Sequence, residues 1–183
     1  MGTIRDFKYK KIENFLDPDV VRLACSYCEI RHRHDYKIVS SQGPTKGNYD
    51  TEYYADPFGE SLMISSIEKM NNLTGLQLLP TYSFLRVYTF DSQLKEHTDR
   101  PSCEISVTVN LGNSGEDWPI YMENKPVILK PGDALIYLGC ELKHKREKFT
   151  GDFNAQIFMH YVDKFGPNAN FVLDKRTLPG EQL

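Results

Sequence analysis

Glu96-His97-Thr98-Asp99-Arg100 is the stretch of this chain best equipped for chemistry. It follows Tyr82-Ser83-Phe84-Leu85-Arg86-Val87-Tyr88, an apolar-rich run that reads as a strand. In an extended backbone, side chains at i and i+2 point the same way, so His97 and Asp99 face one point while Thr98 turns away. An imidazole and a carboxylate converging at a strand end make two thirds of a 2-His-1-carboxylate set, which grips an iron(II) ion on one side and leaves positions open on the other. His-x-Asp by itself is a weak pattern. A second histidine has to arrive on a later strand at the same end of the fold.

Two histidines qualify. His144 closes Gly139-Cys140-Glu141-Leu142-Lys143-His144, just beyond the turn-then-strand segment Gly132-Asp133-Ala134-Leu135-Ile136-Tyr137. His160 lies inside Gln156-Ile157-Phe158-Met159-His160-Tyr161-Val162-Asp163 and shares a face with Gln156 and Phe158. A lone histidine in such a strand is more often a satisfied core residue than a ligand. The residues alone leave both open.

The elements that must position these groups follow from local pattern. At 183 residues the chain has the length of one domain. Phe7 and Tyr9 suggest a short edge strand near the start. Asp17-Pro18 opens a helix, with Val20, Leu23, Ala24 and Tyr27 as its buried stripe and an end near Glu29 to Arg31. Residues 40–55 read as a loop whose Tyr49, Tyr53 and Tyr54 are candidates to line an entrance. Asp56-Pro57 starts a second helix, with Met63, Ile67 and Met70 inward and Asn71 to Gly75 closing it. From Leu76 the texture changes to short strands: Tyr82–Phe90, Glu104–Leu111, Pro119–Met122, Pro126–Leu129, Ala134–Leu138 and Ala155–Val162. Turns such as Lys130-Pro131-Gly132-Asp133 separate them. That pattern predicts a mainly β fold, sandwich or barrel, with N-terminal helices covering one sheet face. The expected division is helical support at about 15–75, a β core at about 76–163 and a tail at 164–183, all one domain.

Composition sets outer bounds. Hydrophobic content of 40% and charged content of 26% are those of a globular protein. A net charge of -3 gives no support for a nucleic-acid surface, and no apolar run approaches a membrane span. Four scattered cysteines, Cys25, Cys28, Cys103 and Cys140, predict a reducing, cytoplasmic setting. Cys25, Cys28, His32 and His34 imitate a zinc pattern, but the pairs are too close together for a closed structural site. Cys103, Cys140 and Trp118 read as packing residues.

The ordered set His97-Thr98-Asp99, Pro131-Gly132-Asp133, His144 and a closing strand resembles the 2-oxoglutarate/Fe(II) dioxygenases, in their prolyl-4-hydroxylase-like branch. Asn14-Phe15-Leu16-Asp17-Pro18 is also similar to the start of that branch, so the resemblance runs from about Lys10 to Asp163. It implies a double-stranded β-helix (jelly-roll) core, with His97, Asp99 and His144 as ligands to Fe(II). His160 is the reserve ligand. It further implies 2-oxoglutarate as co-substrate and O2 as oxidant, with release of succinate and CO2 and hydroxylation of a C–H bond. Because the carboxylate ligand Asp99 is present, hydroxylation is expected rather than halogenation. The substrate by analogy is a prolyl or other amino-acid side chain, with a free small molecule also open.

Similar enzymes commonly place Lys or Arg on the strand after the distal histidine, to hold the far carboxylate of 2-oxoglutarate. Here that region is Phe153-Asn154-Ala155-Gln156, with no cation. Arg146 and Arg86 are the substitutes, since a guanidinium binds a carboxylate through two donors. Tyr88, Tyr121, Asn110 and Gln156 are candidate hydrogen-bonding partners. Arg100 reads as a salt-bridging or substrate-side residue, with Glu104 or Asp133 as partner. The missing cation also supports a second reading, a metal-binding jelly-roll that senses or binds without turnover.

Overall fold

A computed structural model describes residues 2–41 and 50–181; Tyr49 lies outside them. The described strands form two antiparallel sheets. In the larger, β1 (Tyr9–Ile12), β8 (Ala134–Leu138), β5 (Ile105–Asn113), β10 (Asn154–Asp163), β3 (Leu78–Tyr88) and β2 (Thr51–Tyr54) lie side by side in that order. The smaller runs β4 (Leu94–His97), β9 (His144–Arg146), β6 (Ile120–Met122) and β7 (Lys125–Val127).

The central strands of the large sheet are long and β-rich because both of their faces are buried. On β10, Ile157, Met159 and Tyr161 join the main core, while Phe158 and His160 turn into a cleft between the sheets. Phe7 ends a short helix, α1 (Ile4–Phe7), ahead of β1. The outer face is covered by α2 (Pro18–Ser41), α3 (Pro57–Ser65) and α4 (Ile67–Thr74), which contribute Ala24, Cys28, Met63 and Met70 to that core. The Tyr161 hydroxyl donates to the Met63 carbonyl at 2.7 Å, locking sheet to helix.

Several expectations about the supports need correction. Helix α2 continues to Ser41, well past Arg31. Its buried stripe is Val21, Ala24 and Cys28, whereas Leu23 is 62% exposed; the apolar pattern admits two stripes, and packing against β5 selects the other one. Arg31 and the Tyr27 hydroxyl both bond to Asp56, which holds the middle of α2 against the start of α3. The second helix is two helices broken at Ser66, and Gly75 closes α4 at φ 72°. Thr51–Tyr54 is a strand rather than loop, with Tyr53 in the core.

The tail packs against the barrel through a 3₁₀ turn, Ala169–Lys175. Buried Arg176 donates to Glu60 at 2.9 Å and to the Thr81 carbonyl at 2.8 Å. Leu173, Asp174 and Lys175 have φ of 51°, 51° and 65°, a left-handed run that side chains normally avoid. Asp174 accepts from the Tyr54 hydroxyl at 2.6 Å and from Arg100 at 2.7 Å. Arg100 is therefore paired with the tail; Glu104 is taken by Arg5 and Asp133 by Lys11. No helix among the described residues is long and apolar enough to cross a membrane.

Candidate metal centre

β4 and β9 pair so that His97 stands opposite His144. Their ring centroids are 4.3 Å apart. Asp99 is brought in by its own backbone, whose N–H donates to the Gly139 carbonyl at 2.8 Å. A side chain at 139 would spoil this: a Cβ there would lie 2.5 Å from Asp99 Oδ2 and closer still to the Cys103 carbonyl. Glycine at the end of β8 thus makes room for the carboxylate.

Both imidazoles are held in one tautomer by the backbone. His97 Nδ1 donates to the Lys95 carbonyl at 2.8 Å, and His144 Nδ1 to the Leu142 carbonyl at 2.9 Å. The Nε2 lone pairs then face Asp99 Oδ1, at 3.5 Å from His97 and 3.4 Å from His144. Those separations are long for strong hydrogen bonds. They suit a shared ion better: with bonds of about 2.1 Å, neighbouring ligands on an octahedron lie about 3.0 Å apart. The donor set fits a divalent iron-type ion, and the backbone clamps on Nδ1 are what such ligands ordinarily carry.

The charges agree with the geometry. Burial alone would push the Asp99 carboxyl up, but His144 and His97 overcome it and hold it well below the usual carboxylate range. Protonated at Nε2 the His97 ring would donate to Asp99, and this raises the imidazole in turn, against burial.

His160 is linked to the other oxygen of Asp99 through Ser106. Ser106 Oγ lies 3.3 Å from Asp99 Oδ2, 3.1 Å from the Cys103 carbonyl and 2.8 Å from His160 Nδ1. Burial pushes the His160 imidazolium down to about 4, so the ring is neutral. Asp99, Cys103 and His160 also converge, with burial pushing the Cys103 thiol up to about 12.

The cleft above these groups has a volume of about 210 Å³ and is lined among others by Tyr82, Phe84, Tyr88, Tyr137 and Phe158. Alternation along β9 turns Lys145 outward and Arg146 inward beside His144. Arg146 is 1% exposed. Its Nη1 donates to the Trp118 carbonyl at 2.7 Å and its plane stacks on that indole at 4.8 Å. Nε and Nη2 are buried and, among the described residues, have no partner, and the same holds for the Tyr88 hydroxyl. Burial lowers the guanidinium to about 10, opposed by nearby Tyr88 and Tyr137.

The other candidates for the co-substrate are otherwise engaged. Arg86 lines the cleft, but Asp50 holds it at 2.7 Å and Glu52 at 3.0 Å. The Asn110 amide donates to the Leu129 carbonyl and accepts from the Gly112 N–H. Gln156 donates to Asn154 and accepts from Thr108. Tyr121 faces outward on β6 beside Lys145, because its neighbours Ile120 and Met122 take the inner face. Tyr137, which the sequence reading missed, packs edge-on against His144 at 5.0 Å. The alternation within Ala134–Leu138, set in register against Ser106, would have pointed to it. Trp118 packs with Tyr88 and Phe149 and donates from Nε1 to the Glu147 carbonyl.

No family model and no curated protein matches the chain. Solved structures do. A prolyl-4-hydroxylase of Pseudomonas putida superposes with a TM-score of 0.64 at 15% identity, covering 88% of this chain and 97% of that one. AviO1 of Streptomyces viridochromogenes gives 0.68 at 13% identity, covering 90% and 95%. HygX of Streptomyces hygroscopicus, solved with nickel and 2-oxoglutarate bound, gives 0.61 at 14% identity, covering 86% and 83%. The chain thus has the jelly-roll fold seen in 2-oxoglutarate/Fe(II) oxygenases.

Proposed function

We propose that this chain is a 2-oxoglutarate- and Fe(II)-dependent oxygenase that hydroxylates an unactivated C–H bond. In that reaction substrate C–H, O2 and 2-oxoglutarate become C–OH, succinate and CO2. The observation that carries the reading is Arg146: a fully buried cation with two unpaired donors, beside an unpaired phenol and on the same strand as a histidine of the triad. A buried charge without a counter-ion is costly, which favours a site that receives an anion. Residues i and i+2 of a strand are about 6.7 Å apart. A five-carbon diacid, about 5 Å between its end carbons, reaches from a metal at His144 to the guanidinium.

His97, Asp99 and His144 would hold the iron, and Arg146 with Tyr88 the far carboxylate. The iron supplies reductive activation of O2, coupled to decarboxylation of the co-substrate. The backbone clamps on the imidazoles keep the lone pairs aimed, and Trp118, Phe149 and Tyr88 keep water from the Arg146 end. Arg146 also weakens the reading as a sensor without turnover, since it replaces the cation missing from the last strand. For the substrate, peptidyl and small-molecule classes both have precedent on this fold: a Trichoplax adhaerens prolyl hydroxylase was solved with a hypoxia inducible factor peptide fragment, and SnoN is an epimerase of nogalamycin biosynthesis.

Anaerobic titration of Fe(II) and 2-oxoglutarate, followed by the metal-to-ligand charge-transfer band, tests the proposal. The band should vanish in His144→Ala, persist in His160→Ala and weaken in Arg146→Ala. Bound iron without a band in the wild type would refute the co-substrate claim and leave the non-catalytic reading.

A further inference from the structure

His160 is buried against the metal centre but is not needed to complete it. Its tautomer follows from Ser106. That hydroxyl has one proton and two neighbours that can only accept, the Cys103 carbonyl and Asp99 Oδ2. Its proton goes to one of them, so His160 Nδ1 donates to Ser106 Oγ. The lone pair is then on Nε2, in a ring that lines the cleft.

The same wall carries Tyr82, Phe84 and Phe158. Phe84 and Phe158 are register partners on β3 and β10, and Tyr82 packs against His160 at 4.6 Å with its ring tilted by 41°. Every charged side chain lining the cleft among the described residues already has a partner: Arg86 has Asp50 and Glu52, and Asp99 has the two histidines. Arg100, behind Tyr82, is neutralised by Asp174. Nothing on this wall can compensate a charged substrate, whose burial without a counter-ion is costly.

We propose that His160 is the specificity-determining residue of the cleft, its Nε2 accepting a hydrogen bond from an uncharged, ring-bodied substrate that carries an O–H or N–H next to the oxidised carbon. This rests on the oxygenase reading above and deepens it. An apolar wall with one acceptor rejects the analogue whose donor is blocked, because the buried acceptor is then left unpaired.

The test uses the full chain loaded anaerobically with Fe(II) and 2-oxoglutarate. The probes are cyclohexanol and 2-piperidone, their methylated counterparts methoxycyclohexane and N-methyl-2-piperidone, and the charged rings cyclohexanecarboxylate and piperidine. Two readouts are followed: perturbation of the charge-transfer band on binding, and succinate release once O2 is admitted. The donor-bearing neutral rings should bind about ten-fold more tightly than their methylated forms and stimulate succinate release. His160→Phe should abolish that preference while keeping the band, and His160→Gln, which retains an acceptor, should restore part of it. Saturation-transfer NMR on the metal-free protein should show the same ranking. Equal binding of methylated or charged rings, no response to any ring despite an intact band, or an unchanged preference in His160→Phe would overturn this inference and leave the oxygenase reading standing. Absence of the band in the wild type would remove both.

Discussion

If Arg146 holds the co-substrate as proposed, replacing it with methionine separates stability from affinity, because the two should respond differently. In the ligand-free protein the variant loses one hydrogen bond to the Trp118 carbonyl and the stacking on that indole, together about 2–4 kcal/mol. It also removes a buried cation with two unpaired donors, and exchanging buried charge for a well-packed apolar side chain commonly returns about 1–4 kcal/mol. These nearly cancel, so the melting temperature without ligand should change little. Binding is another matter. A bidentate guanidinium–carboxylate contact involves two charge-assisted hydrogen bonds of about 1.5–3 kcal/mol each. Losing them weakens 2-oxoglutarate by about 3–6 kcal/mol, a factor of roughly 10² to 10⁴. Differential scanning fluorimetry of the anaerobic Fe(II) form, with and without 2-oxoglutarate, reads both. At a hundred times the wild-type Kd the co-substrate should stabilise the wild type by about 2.7 kcal/mol and the variant by about 0.4 kcal/mol or less. A variant that is strongly destabilised without ligand yet binds 2-oxoglutarate normally would refute the argument and make Arg146 a structural residue.

Further expectations follow from other parts of the fold. Gly139→Ala should push the Cβ into Asp99 and the Cys103 carbonyl, lowering stability by about 1–3 kcal/mol and weakening metal binding, measurable by thermal denaturation and iron titration. Breaking the buried Arg176–Glu60 pair with Arg176→Met should cost about 3–5 kcal/mol, with much of it recovered in the Arg176→Met/Glu60→Leu double variant; an additive double variant would contradict the pairing. The His97–Asp99 couple sets a pH window. His97 is raised from 6.5, so its contribution to metal-free stability is complete below that value and lost as pH rises through the folded pKa. Asp99 is lowered from 3.8, so its contribution is complete above that value and lost only as pH falls through a still lower pKa. The ion must displace the His97 proton, so iron affinity should fall by about ten-fold per unit as pH drops below the raised His97 value; a flat profile by competition titration would count against His97 as a ligand.

The long elements were legible because burial writes a pattern into them. Ala134–Leu138 is found where expected, and β5 and β10 differ from expectation by two residues at most at either end. The strands that carry His97 and His144 were not foreseen. Leu94-Lys95-Glu96-His97 and His144-Lys145-Arg146 are three or four residues long and mostly charged, so neither shows apolar alternation. The inward place of Arg146 was therefore not legible, although one step of parity from His144 gives it. His-x-Asp was legible since its two groups are neighbours along the chain. The partner cations were not, because whether an arginine is free depends on acids far away in sequence: Asp50 for Arg86 and Asp174 for Arg100.

Those short strands have a consequence for how the molecule breathes. Among the described residues β4 pairs with β9 alone, and the smaller sheet has no strand longer than four residues. Beside a ten-residue β10 locked between two neighbours, it should be the first part to open, as a cooperative unit well below the free energy of global unfolding. Iron would bridge β4 to β9 and so act as a rivet across this weak seam. Amide exchange near His97 and His144 should slow on loading while exchange in β5 and β10 stays unchanged, making the barrel's rigidity at one end a property of its cargo rather than of its sequence.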